Sequence, residues 1–364
     1  MTPRALLLFA AVTALCGCPK ADPRPSDLDG GTGTNAAGFC EPAPVFSEDL
    51  SSCQSSADDY QPRVNASAND AWPPCISDDD FYHPINPSIS TIGRVAAFEE
   101  IARKLWEGQR RPSAQDFVDA RTLYAQDQGL DSRVQRREDI HYPAPPQPCS
   151  TAGVPEQYPD RCVGPQKLLP VLNEAFAQGS QGESPLVQAA RIEAALLWFL
   201  YVSALSEATS CAVKPQDCDS SWAYYTGGTA RWAPLGLSRY VHSLGSETHQ
   251  RAYDGTLAVR CWRNLDNETG AAQDLVLRDR ARNQLDRAML RGIALITRAR
   301  FSELACSKGE VLEARRAFLQ TLVPFLDRSA RERDAASADA LKAALAAEDN
   351  PGAIAALDQL YPCP

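Results

Sequence analysis

Apolar residues recur at steps of three and four positions along most of the chain after residue 88, which is the spacing of one face of a helix. The first series begins at Ile92 and is closed by Gly108. A Ser-x-x-Asp motif at Ser113 predicts the cap of a second helix, and Ser184-Pro185 predicts the start of a long apolar one. Further helices are predicted at 167–178, 246–265, 271–306, 309–328, 334–347 and 351–361.

We therefore predict an all-α fold, in which a multi-helix bundle over 88–364 follows an irregular segment. That segment, 39–87, is rich in Ser, Asp and Pro, holds three cysteines and shows no sustained period. The two parts are expected to form a single helical domain, 39–364. A later apolar run at 186–205 approaches membrane-spanning length, but two charged residues interrupt it.

The first 17 residues have the pattern of a bacterial lipoprotein signal peptide. Arg4 precedes an apolar run of about ten residues, which is too short to cross a bilayer, and the run ends in a segment that resembles a lipobox, Leu15-Cys16-Gly17-Cys18. The pattern predicts that Cys18 carries the lipid (palmitate or a similar acyl chain) and that residues 18–38, rich in Pro, Asp and Gly, form a flexible tether. We expect the protein to be anchored in the cell envelope, facing the periplasm or the exterior. The alternative is plain cleavage, which leaves Cys18 free.

The cysteines support an extracytoplasmic location. The chain has twelve, and the ten that follow the lipobox are an even number in an exported protein, which predicts a set of disulfides. Short spacing favours Cys211–Cys218 and Cys149–Cys162, and Cys363 is expected to join one of the N-terminal cysteines. A zinc or iron–sulfur site is the alternative, but these ten include no C-x2-C pair. The disulfide candidates are Cys40, Cys53, Cys75, Cys149, Cys162, Cys211, Cys218, Cys261, Cys306 and Cys363.

Composition excludes some classes of function. Acidic residues number 46 and basic residues 36, and no basic stripe interrupts the net charge of −10, so we expect no nucleic-acid partner. Metalloprotease, serine-hydrolase, phosphate-loop and dinucleotide-binding motifs are absent from the sequence, and only four histidines are present. The chain is therefore predicted not to be an enzyme.

The richest candidate chemistry lies between residues 191 and 227. Glu207 ends a predicted helix, where the helix dipole disfavours a carboxylate and a cation is needed nearby. Asp219 is expected to cap a short turn that carries Tyr224 and Tyr225. Carboxylate and phenolate oxygens are hard donors that suit Fe(III), and Arg191 could hold an anion that completes the coordination. The structural alternative is that the aromatic residues pack in the core and the charged ones satisfy each other.

Asp139 and His141 form a second candidate pair. They alternate in a segment that should be extended before Pro143, so both side chains point to the same side. They could join the tyrosines as metal ligands, act as the acid–base pair of an envelope enzyme, or form an ordinary structural hydrogen bond. Arg231, after a Gly-Gly pair, is a second candidate for holding an anion.

The segment from Arg191 to Gly227 resembles the algal low-iron-inducible periplasmic protein family, which includes the phytotransferrin-type iron-binding proteins. The likeness extends over about residues 89–265, but its recognisable core is only about 40 residues, and Ser206 stands where that resemblance leads us to expect a histidine. The resemblance implies an exported helical protein that binds Fe(III) through tyrosine and carboxylate oxygens with the help of a carbonate-like anion. The shared pattern is Arg191-x-Glu193, Tyr201, Glu207-Ala208, a cysteine loop and Trp222-Ala-Tyr-Tyr-Thr-Gly227.

Together these observations predict a lipid-anchored extracytoplasmic protein that captures ferric iron and passes it to an iron-uptake system at the membrane. The alternative is a metal-free structural or interaction lipoprotein of the cell envelope. The predicted metal ligands are Tyr224, Tyr225, Glu207, Asp139 and His141, and the predicted anion-binding residues are Arg191 and Arg231.

Overall fold

The part of the chain that the structure describes folds into thirteen α-helices, which confirms the all-α prediction. The structure is a computed structural model, and it describes residues 33–41, 48–53, 58–62, 72–266 and 269–364. The helices are α1 Ser90–Leu105, α2 Ala114–Ala125, α3 Asp131–Val134, α4 Val154–Gln157, α5 Leu169–Ser180, α6 Pro185–Ser210, α7 Gln216–Thr226, α8 Leu237–Leu244, α9 Ser246–Leu265, α10 Leu275–Leu304, α11 Gly309–Arg333, α12 Ala335–Ala347 and α13 Asn350–Leu360.

A two-stranded antiparallel ladder precedes the helices. Strand β1, Gly33–Thr34, pairs with β2, Cys40–Glu41, and the Thr34 hydroxyl donates a hydrogen bond to the carbonyl of Cys306, 2.5 Å away. The last residues of the predicted tether, 33–38, therefore belong to a hairpin that is fixed to the end of α10. The predicted signal peptide and Cys18 lie outside the described residues.

Helix α6 is the centre of the core. It packs against α5, α7, α10 and α11, and most of its side chains are buried on every side. The helix is long and apolar enough to cross a membrane, but 89% of its most apolar window is buried inside the protein. Glu193, one of the two charged residues in that run, is buried and pairs with Arg300 of α10 at 2.8 Å. These contacts identify α6 as a core helix, and from Thr32 to Pro364 the chain forms one compact unit.

Asp219 does not cap a helix, so that prediction is wrong. It lies one turn inside α7, and its carboxylate accepts hydrogen bonds from the Tyr82 hydroxyl at 3.0 Å and from the backbone amides of Ile85 at 3.1 Å and Asn86 at 2.6 Å. A buried carboxylate is stable when several donors replace its lost water. Asp219 therefore fixes the loop that leads into α1 against α7.

Five disulfides use all ten cysteines that follow the lipobox. Both short-range pairs that the spacing favours are present, and Cys363 joins an N-terminal cysteine as predicted. Three bridges tie the irregular N-terminal region to the helical body. Five disulfides indicate an oxidising, extracytoplasmic location. The pairs are Cys40–Cys306, Cys53–Cys363, Cys75–Cys261, Cys149–Cys162 and Cys211–Cys218.

Candidate functional site

The five predicted metal ligands fall into three separate hydrogen-bonded groups. Each of the five already has a partner within the protein. Among the residues that the structure describes, no group of three or more His, Cys, Asp and Glu side chains is arranged to hold a metal ion. The groups are Glu207 and Tyr224 with Arg137, Asp139 and His141 with Asp286, and Tyr225 with His249.

The first group is built around Arg137, which follows α3 in a loop. Its Nη2 lies 3.0 Å from Oε1 of Glu207, near the end of α6, and 3.4 Å from the hydroxyl of Tyr224 on α7. The guanidinium also lies over the Tyr224 ring, 5.4 Å from its centroid. Arg137 therefore supplies the cation that a carboxylate at a helix C-terminus needs.

Burial controls the protonation of Tyr224. It raises the pKa of the phenol above its ordinary value, although the charge of Arg137 acts in the opposite direction. Burial alone would lower the pKa of Arg137, but Tyr224 and Glu207 raise it. At neutral pH the Tyr224 phenol is therefore neutral and the Arg137 guanidinium is charged.

Glu207 also lines a polar cavity of about 580 Å³, which we call the Glu207 pocket. Its walls come from four places: the start of α1, helix α3, the end of α6, and the turn into α7. The lining residues that can form hydrogen bonds include Ser90, Arg133, Glu207, Ser210, Lys214 and Asp217.

Two further guanidinium groups lie near Glu207: Arg133 lines the pocket, whereas Arg94 is not among the lining residues. Arg94 of α1 is only 7% exposed, and its Nη1 donates to the hydroxyl of Ser90 at 2.6 Å. Burial lowers the pKa of Arg94, and the charge of Arg133 acts in the same direction. In the described part of the chain, the Nε atoms of Arg94, Arg133 and Arg137 are buried without a hydrogen-bond partner. The lining of the pocket itself holds two cationic residues, Arg133 and Lys214, and two acidic ones, Glu207 and Asp217.

The second group holds His141 between two carboxylates. Its Nδ1 lies 2.6 Å from Oδ1 of Asp139, and its Nε2 lies 2.9 Å from Oδ2 of Asp286 on α10. The Tyr201 hydroxyl donates to the other oxygen of Asp286 at 2.6 Å. Burial alone would lower the pKa of His141, but these two carboxylates raise it to about 9. The imidazolium donates from both nitrogens, so at neutral pH it has no lone pair with which to bind a metal or accept a proton.

The third group buries Tyr225 against His249. The Tyr225 hydroxyl lies 3.1 Å from Nδ1 of His249, whose Nε2 lies 2.8 Å from the carbonyl of Arg231. Burial lowers the pKa of His249 to about 4, so the ring is neutral. Since a carbonyl only accepts, Nε2 carries the proton and Nδ1 accepts from Tyr225. Burial also raises the pKa of the Tyr225 phenol.

Neither predicted anion-binding arginine lines the Glu207 pocket. Arg231 is buried, and its Nη2 pairs with Asp80 at 2.5 Å and with Asp254 at 2.6 Å, so two carboxylates already compensate its charge. Arg191 donates to the side chain of Gln188 at 3.4 Å. The arginine in the lining of the pocket is instead Arg133, which sequence reasoning did not select.

No protein-family model matches this chain, and no curated protein or solved structure matches it either. The functional argument therefore rests on geometry. Arg94, Arg133, Arg137 and Asp286 are the important side chains that sequence reasoning missed. Arg137 adjoins the Asp139–His141 pair, which is a weak local signal, but Asp286 lies on a long helix with nothing in its neighbourhood to distinguish it.

A more apolar cavity lies away from these groups. It has a volume of about 640 Å³ and lies between α10, α11 and α12, where Phe301, Leu319 and Leu341 line it. None of the predicted ligand residues lies in its walls. The predicted ligand residues and this apolar cavity therefore do not coincide, and the Glu207 pocket remains the candidate functional site.

Proposed function

We propose that this protein is a metal-free, non-catalytic binding lipoprotein of the cell envelope, which takes its ligand in the Glu207 pocket. One observation carries the proposal: each of the five predicted metal ligands is paired within the protein, and Glu207, the one that lines the pocket, is already bound to Arg137. A trivalent cation at Glu207 would have to displace Arg137, and Arg133 and Lys214 in the wall of the pocket would repel it.

The proposal includes a lipid anchor at Cys18, which attaches the domain to a membrane. The domain then lies on the periplasmic or exterior side of that membrane. The lipobox-like sequence supports the anchor, and the five disulfides support the compartment. In a bacterial host, full-length protein is expected in the membrane fraction, and Cys18→Ser is expected to release it. Cys16→Ser is the control. Retention of the Cys18→Ser variant in the membrane fraction would contradict the anchor.

Ferric loading tests the metal-free part of the proposal. When Fe(III) is added as its citrate complex to the full-length protein, we expect no tyrosinate-to-iron absorption band and no change in melting temperature. The physical reason is that burial raises the pKa of both Tyr224 and Tyr225, so that Fe(III) would have to displace a more tightly held proton than that of an exposed phenol. A saturable band with a higher melting temperature would contradict the proposal.

Ferric-iron capture is the second candidate, because Tyr224 and Glu207 both reach Arg137. A carbonate-like anion on the guanidinium groups would supply the negative charge that Fe(III) requires, and the protein would then serve an iron-uptake system. The variants Tyr224→Phe and Tyr225→Phe are a matched pair for this candidate. A band that is lost in Tyr224→Phe and kept in Tyr225→Phe would support iron binding in this pocket.

A further inference from the structure

The apolar cavity between α10, α11 and α12, which we call the α11–α12 cavity, is long and narrow. Its volume of about 640 Å³ lies within the range of small-molecule sites in proteins. On α11 its lining extends from Leu312 to Ala330, which are about 27 Å apart along a helix that rises about 1.5 Å per residue. Spread over that length, the volume gives an average cross-section of about 24 Å². This shape suits a linear chain better than a molecule of fused rings.

The interior of the cavity is apolar. Its buried walls include Phe301 of α10, Leu319 and Val323 of α11, and Ala338 and Leu341 of α12. A hydrocarbon chain that filled the cavity would leave water and cover these side chains, so the hydrophobic effect would favour its binding.

The charged residues of the lining balance each other. Two are cationic, Arg316 and Lys342, and two are acidic, Asp327 and Glu348. Arg316 pairs with Glu348 at 2.5 Å, and Asp327 pairs with Arg331 at 2.9 Å, whereas Lys342 is exposed to solvent. The lining therefore offers no surplus of either charge, and the ligand that fits it is uncharged.

Two oxygen atoms of lining residues are short of hydrogen-bond donors. In the described part of the chain, Oδ1 of Asn350, at the start of α13, is buried without a hydrogen-bond partner. Pro324 lies inside α11 and has no N–H, so the carbonyl of Gln320 lacks its usual helical donor. Arg316, one turn before Gln320, pairs with Glu348, two residues before Asn350, so both oxygens belong to the same end of the cavity. A hydroxyl group can supply the missing donor.

We propose that the α11–α12 cavity binds an uncharged single-chain lipid with a hydroxyl-bearing head, of the monoacylglycerol class. The chain lies along the apolar interior, and the head donates hydrogen bonds to Asn350 and to the carbonyl of Gln320. A fatty acid fits less well, because its carboxylate offers no donor to these oxygens. The cavity is separate from the Glu207 pocket, so this inference goes beyond the proposed function and does not depend on it.

Photochemical labelling of the full-length protein in lipid nanodiscs tests the inference. The probe is a monoacylglycerol with a diazirine group in the middle of its chain, and mass spectrometry identifies the labelled peptides. We expect saturable labelling of peptides from α11 and α12, and we expect unlabelled monooleoylglycerol to compete at lower concentration than oleic acid. Stronger competition by oleic acid would overturn the uncharged ligand class, and labelling spread evenly over the surface would overturn the cavity as the site.

A matched pair of variants locates the site. Ala346→Trp places a large side chain at the edge of the cavity and is expected to reduce the labelling of α11 by about tenfold. Ala347→Trp is the control, because Ala347 is the next residue of α12, is equally exposed and lies outside the lining. Since both positions are exposed, both variants are expected to fold.

Asn350→Leu tests the recognition of the head. It removes the unpartnered oxygen and is expected to weaken the competition by monooleoylglycerol about tenfold. The melting temperature of the free protein should not fall, because this oxygen forms no hydrogen bond there. Unchanged competition in Asn350→Leu would overturn the assignment of the head, and equal labelling of Ala346→Trp and Ala347→Trp would overturn the site.

Discussion

Individual buried charges fall into compensated and uncompensated sets. His141 lies between two carboxylates, and Arg231 pairs with two others, so these groups have the balanced partners of structural ion pairs. Arg94 and Arg133 lack such carboxylate partners among the described residues. Glu207 and Asp217 act on these two guanidinium groups only at longer range, so their charge is less fully compensated than that of His141 or Arg231.

His141 should make the protein less stable as the pH rises into the alkaline range. Its pKa is raised from 6.5 to about 9, so the stabilisation is complete below pH 6.5 and is lost as pH rises towards 9. The shift corresponds to about 3 kcal/mol. In thermal unfolding of the full-length protein, the melting temperature of the wild type should fall more steeply across this window than that of His141→Gln. Parallel pH profiles for the two proteins would show that His141 is not the group responsible.

Single side chains also fix the positions of whole elements. Ser113 and Asp116 form the reciprocal capping box at the start of α2 that the sequence motif predicts. Asp219 instead works between elements, because it attaches the loop at 82–86 to α7. That loop leads into α1, whose first turn forms one wall of the Glu207 pocket, so Asp219 positions the pocket without lining it.

Replacement of Asp219 should therefore destabilise this connection. Asp219→Asn replaces one carboxylate oxygen with an amide NH2 group, which then faces a backbone N–H that also donates. We therefore expect a loss of about 1.5–3 kcal/mol in the free energy of unfolding. Denaturant unfolding of the full-length protein measures this loss. Glu174→Gln on the exposed face of α5 is the control and should change stability by less than about 0.5 kcal/mol. Equal values for both variants would contradict the linking role.

At the scale of the whole molecule, the disulfides close loops of very different lengths. Cys53–Cys363 joins residues 310 positions apart, whereas Cys211–Cys218 joins residues seven apart. With the other bridges intact, the loop closed by Cys53–Cys363 passes through Cys40–Cys306 and contains roughly 70 residues. The benefit of a cross-link grows slowly with loop length, because it restricts the unfolded chain.

Removal of each bridge should show that the bridge closing the longer loop stabilises the protein more. Replacing both cysteines of Cys53–Cys363 with serine is expected to cost about 4 kcal/mol, and the same change at Cys211–Cys218 about 2.5 kcal/mol. Unfolding in denaturant without reductant measures both losses. If the short-range bridge proved the more important, stabilisation through the unfolded chain would not explain these disulfides.

Local features predicted the fold well. A helix with a period of 3.6 residues requires only neighbouring side chains, so α1, α6 and α9 follow from apolar spacing and from caps. The eight-residue helix α8 was missed because so short an element offers too few apolar repeats. Short-range cysteine pairs were predicted correctly for the same reason, since residues a few positions apart meet easily.

The sequence by itself determined the helices, the extracytoplasmic disulfide chemistry and the residue types available for binding. Tertiary structure alone decided which charges meet: Arg137 reaches Glu207 across 70 positions, and His141 reaches Asp286 across 145. Such partners depend on how the helices pack around α6, and no local pattern encodes that packing. The balance of charge at a buried site is set by all the elements that surround it, so the sequence supplied the phenols and carboxylates while the fold gave them arginine and histidine partners.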